Sequence, residues 1–196
     1  MTKTPLSLVL LLVACGGSTE TTSEVTETES AGGETTVEVI RDDVPTDVVP
    51  AAVTATVSAT EGNTVNGTVS FTQESGEVVV RVALTGFEPG TRHGFHVHET
   101  GDCSAPDGTS AGGHFNPDGH DHALPDSDVR HAGDLGNVEA DANGNVNTEF
   151  RFTDLHLDGE HGIGGRAVIL HASADDGGQP TGNAGPRVAC GVISTL

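Results

Sequence analysis

Alternation of apolar and polar residues is the feature that most limits how this 196-residue chain can fold. Over residues 53–60, every second residue is Val or Ala and the intervening residues are Thr or Ser. A similar period of two recurs over residues 65–72 and 78–84. A period of two places apolar side chains on one face of a β-strand and polar side chains on the other. The three segments therefore predict consecutive strands, each with one buried face.

Five further segments complete the predicted sheet. They are short and separated by turn residues such as the Asp-Ala-Asn-Gly sequence at 141–144. These candidate strands span residues 94–98, 134–140, 146–152, 166–171 and 187–193. Eight strands without a convincing helix predict an all-β domain over residues 51–196, an antiparallel Greek-key sandwich or flattened barrel. Its long insertions, 99–131 and 172–186, are expected to be functional loops.

The first 15 residues have a composition that separates them from this domain. Lys3 precedes a short apolar run, and the Leu-Val-Ala-Cys sequence at 12–15 resembles the bacterial lipobox, in which the cysteine becomes the lipidated first residue of the mature protein. The apolar run is too short to span a bilayer. We expect residues 1–14 to be a lipoprotein signal peptide and Cys15 to carry lipid. A plain secretory signal with an incidental cysteine is the alternative.

Residues 15–50 are predicted to form the lipidated cysteine and a disordered tether. The segment consists largely of Thr, Ser, Glu and Gly, and its nine acidic side chains against Arg41 alone give a net charge of −8. Such a chain is too polar and too self-repelling to collapse. The predicted product is an exported, membrane-anchored lipoprotein facing the periplasm or the cell exterior. The sequence leaves the destination membrane open.

The cysteine count agrees with export. With Cys15 assigned to lipid, Cys103 and Cys190 remain as a pair, which an oxidising compartment favours as a disulfide. Two free thiols are the alternative. A bridge would close a long loop, for which the chain-entropy estimate is about 4 to 5 kcal/mol of stability.

Histidines are concentrated in two parts of the predicted fold. His96 and His98 lie two residues apart on one strand, so both side chains leave the same face and can approach one ion. Residues 114–134 hold four more in a stretch rich in Pro, Gly and Asp, a composition typical of a loop. His171 follows a later apolar run. We expect these segments to converge on a site for two metals.

The residue types suit two different ions. The four ligands that would satisfy a tetrahedral zinc, with three nitrogens and one oxygen, are His114, His122, His131 and Asp134. A second, nitrogen-rich set suits copper, which changes oxidation state whereas zinc does not; it comprises His96, His98 and His171. The alternative is a histidine-rich acidic surface loop with adventitious metal affinity, which explains any one residue but not the whole set.

Several motifs in the same order resemble copper/zinc superoxide dismutases. They are Gly-Phe-His-Val-His-Glu at 94–99, His-Phe-Asn-Pro at 114–117, Gly-Asp-Leu-Gly-Asn at 133–137 and Gly-Asn-Ala-Gly-Pro-Arg-Val-Ala-Cys-Gly-Val-Ile at 182–193. The resemblance covers about residues 51–196, and this family is itself a known example of the predicted sandwich. With the lipobox, it indicates a bacterial exported lipoprotein form of the enzyme.

The resemblance implies an enzyme that converts superoxide to oxygen and hydrogen peroxide by alternately reducing and reoxidising copper. It implies one copper and one zinc per subunit, joined through the ring of His114, which also suits the proton step. The implied copper ligands are His96, His98, His114 and His171, and the implied zinc ligands are His114, His122, His131 and Asp134. Asp175 matches an aspartate that hydrogen-bonds one ligand of each metal and fixes their orientation.

Other matching residues surround the implied copper. Arg187 matches the channel arginine that attracts and binds superoxide, and Thr181 resembles the residue across the entrance. Cys103 and Cys190 match the intrasubunit disulfide, although Cys103 lies farther before the bridging histidine than in animal enzymes. The other histidines are given structural or loop roles: His93, His120, His156 and His161.

Two departures from the animal enzymes concern electrostatics. The segment between His171 and Arg187 is shorter, and the only lysine, Lys3, leaves with the signal peptide, which changes the formal charge from −21 to −22. Charges beyond a Debye length of about 8 Å are mostly screened at physiological salt. We therefore expect attraction of the anionic substrate to be local, through Arg187 and copper.

Two other functions are compatible with parts of this pattern. A copper carrier or storage domain needs the ligands but not Arg187, and a structural zinc-stabilised surface module needs no copper ligands. The chain retains all of these residues, which favours the enzyme. No nucleic-acid partner is expected, and the sequence leaves the choice between monomer and homodimer open.

Overall fold

A computed structural model describes residues 51–196, whereas the predicted signal peptide, lipobox and tether lie outside the described residues. The described chain forms eight β-strands and a 3₁₀ helix at Thr109–Ala111. The strands are β1 Ala52–Ala59, β2 Asn66–Glu74, β3 Glu77–Thr85, β4 Arg92–His98, β5 Asp134–Glu139, β6 Val146–Phe152, β7 Ala167–His171 and β8 Arg187–Val192. The all-β prediction is confirmed. No helix within this part of the chain is long and apolar enough to cross a membrane.

All eight strands belong to one sheet in the order β5-β4-β7-β8-β1-β2-β3-β6. Every neighbouring pair is antiparallel. β1 joins the two halves, because its first residues pair with β2 and its end pairs with β8 through Ser58 and Ala59. The chain passes between the halves after β3, after β5 and after β6, which agrees with the Greek-key prediction.

The core lies inside this curved sheet and explains the alternation in sequence. Along β1, Val53, Ala55 and Val57 are buried and the residues between them are exposed. These side chains join one large apolar cluster that includes Phe71 and Phe95, so inward-facing residues from both halves contact one another. Burial of this apolar area is the main favourable term in folding.

β4 and β7 depart from the alternating pattern, because they are buried on both faces. Every residue of β7 is buried, and so is every residue of β4 after Arg92. On β4, Phe95 and Val97 belong to the core cluster, whereas His96 and His98 leave the opposite face. That outer face therefore holds buried polar side chains, which need hydrogen-bond partners or a bound cation.

The predicted disulfide between Cys103 and Cys190 is present, with the two Cα atoms 5.8 Å apart. Cys103 lies in the insertion after β4 and Cys190 lies in β8. Both contact a second, smaller apolar cluster that contains Ala111, the last residue of the 3₁₀ helix, and Ile169 of β7. The bridge and this cluster attach the insertion to the sheet.

We predict that the double substitution Cys103→Ser and Cys190→Ser lowers the free energy of unfolding by about 4 to 5 kcal/mol. The physical reason is that the bridge, which spans 87 residues of sequence, restricts the unfolded chain. Urea unfolding of the oxidised protein and the variant measures the difference. An unfolding free energy equal to that of the oxidised protein would contradict this expectation.

Candidate metal centre

The first group of histidines is brought together by strand pairing. β4 pairs with β7, with His96 opposite Ile169, and His171 is the last residue of β7. His114 reaches the same place through an isolated β-bridge with His98. One ring nitrogen from each of four buried histidines lies within 4.8 Å of the others; they are His96, His98, His114 and His171. This is the set of residues predicted for copper.

Gly94 makes room for this group. A Cβ atom at position 94 would lie 2.7 Å from the Cβ of Ala184 and 3.0 Å from Cε1 of His96. Distances of this size are shorter than van der Waals contacts. The first glycine of the motif at 94–99 therefore lets the imidazole of His96 and the segment at Ala184 approach each other.

The second group is built by the long insertion and the start of β5. Asp134 is the first residue of β5 and pairs with His96 of β4, which places the carboxylate beside the first group. Four buried residues each offer a ligand atom within 4.8 Å of the others; they are His114, His122, His131 and Asp134. This is the set predicted for zinc, and His114 belongs to both groups.

In the first group, hydrogen bonds leave one nitrogen of each ring unpaired. His98 Nδ1 donates to the Gly112 carbonyl at 2.9 Å, and His171 Nδ1 donates to the Gly185 carbonyl at 2.9 Å. His96 Nε2 donates to the Asp175 carboxylate at 2.8 Å. The opposite nitrogens, His96 Nδ1, His98 Nε2 and His171 Nε2, are buried and have no partner within the described residues. Each opposite nitrogen therefore has a free lone pair, as a metal ligand requires.

The carboxylate of Asp134 is surrounded by imidazole nitrogens. Its oxygens lie 2.8 Å from His114 Nδ1, 2.9 Å from His122 Nδ1 and 3.2 Å from His131 Nδ1. The His122 contact is close but lacks hydrogen-bond geometry, and His122 Nδ1 counts among the unpaired nitrogens. Backbone N–H groups of Ala123 and His131 hold Oδ2 in place. Three nitrogens converging on one carboxylate fit the donor set of a tetrahedral zinc ion.

Asp175 joins the two groups. One of its oxygens accepts from His96 Nε2 at 2.8 Å and the other accepts from His122 Nε2 at 3.0 Å. Burial on its own raises the pKa of Asp175, but the hydrogen bonds from His96, Gly177 and His122 outweigh it and hold this pKa below its usual range. Gly182 has a φ of 75°, and a Cβ there would lie 2.0 Å from Asp175 Oδ1, so only glycine fits beside this carboxylate.

Burial keeps the histidines neutral. It lowers the pKa of His98 from 6.5 to about 2 and that of His171 to about 3, and it also lowers the pKa of His96 and His131. Burial on its own raises the pKa of Asp134, but the hydrogen bond with His114 and the nearby histidines lower it overall. Near pH 7 the four histidines are neutral and the aspartate is ionised, which are the forms that bind metal.

Arg187 lies beside the first group at the start of β8. Its Nη1 donates to the Gly108 carbonyl at 2.6 Å and its Nη2 donates to the Gly112 carbonyl at 2.5 Å. The Gly112 carbonyl also accepts from His98, so one oxygen orients both residues. Besides burial, the positive charge of Arg187 disfavours protonation of the nearby rings and so contributes to lowering the pKa of His98 and His171.

The remaining residues identified from sequence lie around these groups. Thr181 is exposed in the loop between β7 and β8. His93 is buried and links Thr91 to the His171 carbonyl, with Nδ1 donating at 2.8 Å. His120 is exposed and donates to the Arg130 carbonyl, and His156 is exposed. His161 lies 3.7 Å from Asp118. None of these four histidines contributes to either group.

Sequence reasoning missed two amide side chains that support the centre. Asn137 makes two hydrogen bonds with the backbone of Asp175, accepting from its N–H at 2.7 Å and donating to its carbonyl at 2.9 Å. Gln179 makes two with the backbone of His122. Asn137 closes the motif at 133–137, so its position in that motif was an available signal. Gln179 has no comparable signal in the sequence.

A family model and a sequence relative name the same family, and one solved structure has a similar fold. The family model for copper/zinc superoxide dismutase (SODC) matches residues 65–193. The superoxide dismutase [Cu-Zn] of Paramecium bursaria Chlorella virus 1 is 49% identical over 133 residues, which cover 64% of this chain and 70% of that protein. The crystal structure of the clock protein EA4 superposes with a TM-score of 0.68 and 46% sequence identity, covering 76% of this chain and 96% of that one.

We predict that the metal-free protein loses stability as the pH falls from 7 to 4.5. In the folded protein the pKa of His98 is about 2 and that of His171 is about 3, both below the ordinary value of 6.5. The stability that depends on these rings being neutral is therefore fully present above pH 6.5 and is lost as the pH falls toward those values. In this window, each histidine lowers the free energy of unfolding by up to about 1.4 kcal/mol for each pH unit. Urea unfolding of chelator-treated protein measures the slope, and a flat profile between pH 6.5 and 4.5 would show that the rings are not buried as neutral groups.

Proposed function

The chain belongs to the copper/zinc superoxide dismutase family, and we propose how its residues divide the work of this enzyme and where the cell places it. The protein converts superoxide to oxygen and hydrogen peroxide with copper and zinc as cofactors. The observation that carries the assignment of its residues is the pair of buried ligand groups that share His114. We assign copper to the group on β4 and β7 and zinc to the group around Asp134.

The proposed ligand atoms follow from the unpaired nitrogens. Copper would be held by His96 Nδ1, His98 Nε2, His114 Nε2 and His171 Nε2. Zinc would be held by a carboxylate oxygen of Asp134 and by Nδ1 of His114, His122 and His131. When bound, copper supplies the one-electron oxidation and reduction, and zinc keeps a single oxidation state.

His114 is the proposed catalytic residue for the proton. Its Nδ1 lies 2.8 Å from Asp134 Oδ1, which holds the ring on the zinc side. Its Nε2, the atom proposed to hold copper, is buried and has no protein partner within the described residues, so its lone pair could take up a proton only while it is not bound to the metal. A ring that is fixed at one nitrogen and free at the other suits general acid catalysis on a small substrate.

Arg187 is the proposed binding and steering residue for superoxide. The chain has a formal charge of −21, so an anion meets overall repulsion except close to a cation. The guanidinium is held by two backbone carbonyls, which accept from Nη1 and Nη2 without neutralising its charge. A fixed positive charge beside the copper ligands attracts superoxide over a short range and orients it.

We predict that Arg187→Ala lowers the second-order rate constant for superoxide removal by about tenfold and weakens its dependence on ionic strength, because the local attraction is lost. Pulse radiolysis of copper- and zinc-loaded protein at several salt concentrations measures both quantities. In the control, His96→Ala loses copper and turnover but retains zinc.

Two outcomes of this experiment would change the proposal. An unchanged rate and salt dependence in Arg187→Ala would remove the steering role of this residue. Stoichiometric copper binding by the unaltered protein without turnover would favour a copper carrier on the same fold.

We also propose that the enzyme is exported and anchored to a membrane by lipid on Cys15, facing the periplasm or the cell exterior. The lipobox-like sequence at 12–15 and the acidic segment that follows it support this proposal. The disulfide between Cys103 and Cys190 gives further support, because structural disulfides persist mainly outside the cytoplasm. An anchored enzyme in that position meets superoxide produced outside the cytoplasm.

We predict that Cys15→Ser moves the protein from the membrane fraction to the soluble fraction of a bacterial host that processes lipoproteins. Without the acyl chains, the acidic segment that follows position 15 is too polar to hold the domain at the bilayer. Fractionation with immunodetection, and mass spectrometry of the mature N-terminus, measure the change. Ser23→Ala, a substitution in the predicted tether, is the matched control. A mature N-terminus of the unaltered protein that carries no acyl chains in the mass spectrum would rule out the lipid anchor.

A further inference from the structure

We propose that Gln179 is a positioning residue for the zinc half of the site, acting through His122. This inference rests on the proposed assignment of His122 as a zinc ligand. The Gln179 side chain accepts from the backbone N–H of His122 at 3.2 Å through Oε1 and donates to the backbone carbonyl of His122 at 2.6 Å through Nε2. The two residues are 57 positions apart in sequence and lie in different loops.

The two hydrogen bonds with Gln179 pair both polar groups of the His122 backbone, its N–H and its carbonyl. Within residues 51–196, its N–H and its carbonyl have Gln179 as their hydrogen-bond partner and no backbone partner. His122 is only 2% exposed, so these groups cannot turn to solvent without moving the residue. A buried backbone group that loses its partner is costly, which makes this contact strongly preferred.

Fixing the backbone of His122 also fixes the direction of its ring. Nε2 donates to Asp175 at 3.0 Å, and Nδ1 lies 2.9 Å from Asp134. The residue is therefore held at three places: the backbone by Gln179, one ring nitrogen by Asp175, and the other at the proposed metal position. Such partners keep a ligand oriented before the metal binds.

The loop that carries Gln179 is braced by its own hydrogen bonds. Asp176 N–H donates to the Gly182 carbonyl at 2.9 Å, and Gly182 N–H donates back to the Gly178 carbonyl at 2.6 Å. The Asn183 side chain donates to Asp176. These bonds span positions 176–183 and support Gln179 where it faces His122.

Asn137 provides a parallel contact that strengthens the argument. Its amide makes the same kind of two-bond contact with the backbone of Asp175, and Asp175 in turn binds the His122 ring. Asn137 lies in β5, so this chain of contacts reaches the sheet. Asp175 keeps this anchor when Gln179 is changed. Loss of Gln179 should therefore loosen His122 while the copper ligands, held by Gly112, Gly185 and Asp175, stay in place.

The test compares substitutions at the two glutamines of the chain. Gln179→Met keeps most of the side-chain volume and removes both hydrogen bonds. Gln179→Glu keeps the shape and accepts from the His122 N–H, but it cannot donate to the carbonyl. The control is Gln73→Met, because Gln73 also donates to a backbone carbonyl, that of Glu77, in the β2–β3 hairpin.

Each full-length variant is loaded with copper and zinc, and transfer of each ion to a colorimetric chelator is followed. We expect both Gln179 variants to release zinc about tenfold faster than the unaltered protein, at the lower end of effects seen when partners of metal ligands are removed. Copper stoichiometry and the behaviour of Gln73→Met should match the unaltered protein. With Co²⁺ bound in place of zinc, the visible absorption spectrum should change in the Gln179 variants alone.

Zinc release from Gln179→Met at the unaltered rate would overturn the inference. So would equal acceleration of copper and zinc release, since that indicates general loosening of the fold. His122→Ala separates the two levels of the proposal. If His122→Ala greatly accelerates zinc release and Gln179→Met does not, only the role of Gln179 is refuted. If His122→Ala leaves zinc binding unchanged, the ligand assignment on which that role rests is refuted.

Discussion

Buried imidazole nitrogens without hydrogen-bond partners are the constraint on which the rest of this structure depends. Five such nitrogens lie within the described residues, on His96, His98, His114, His122 and His171. A buried polar group without a partner destabilises a fold by about 1 to 3 kcal/mol. In neutral rings these facing nitrogens are all hydrogen-bond acceptors, so they cannot pair with one another. A bound cation satisfies several at once. The protein must therefore hold these rings in place by other means until the metals bind.

The two halves of the centre meet this requirement in different ways. The copper group relies on strand pairing, because His96 and His98 leave one face of β4 and His171 ends the neighbouring strand. The zinc group is drawn mainly from an insertion and depends on side-chain contacts with Asp134, Asp175 and Gln179. A sheet resists local movement more than a loop does. The zinc half is thus the part of the site whose geometry depends most on individual side chains.

This division explains what the sequence could predict. A period of two reveals strands, and the spacing of His96 and His98 on such a strand places both rings on one face. Contacts between loops leave no periodic signal, so the role of Gln179 could not be read from its neighbours. Alternation also failed on β7, where all five residues are buried because insertions cover the outer face of the sheet. The residues that depart from the simple pattern lie where the loops cover the site.

The disulfide has a consequence for the site beyond stability. It ties the insertion after β4 to β8, and β8 begins with Arg187. The same insertion supplies the carbonyls of Gly108 and Gly112 that hold the guanidinium, and the Gly112 carbonyl also orients His98. A shift of this short segment would therefore move the substrate-binding cation and a copper ligand together. Since an acidic protein attracts superoxide only at short range, the position of one carbonyl oxygen affects both attraction of the substrate and the metal geometry.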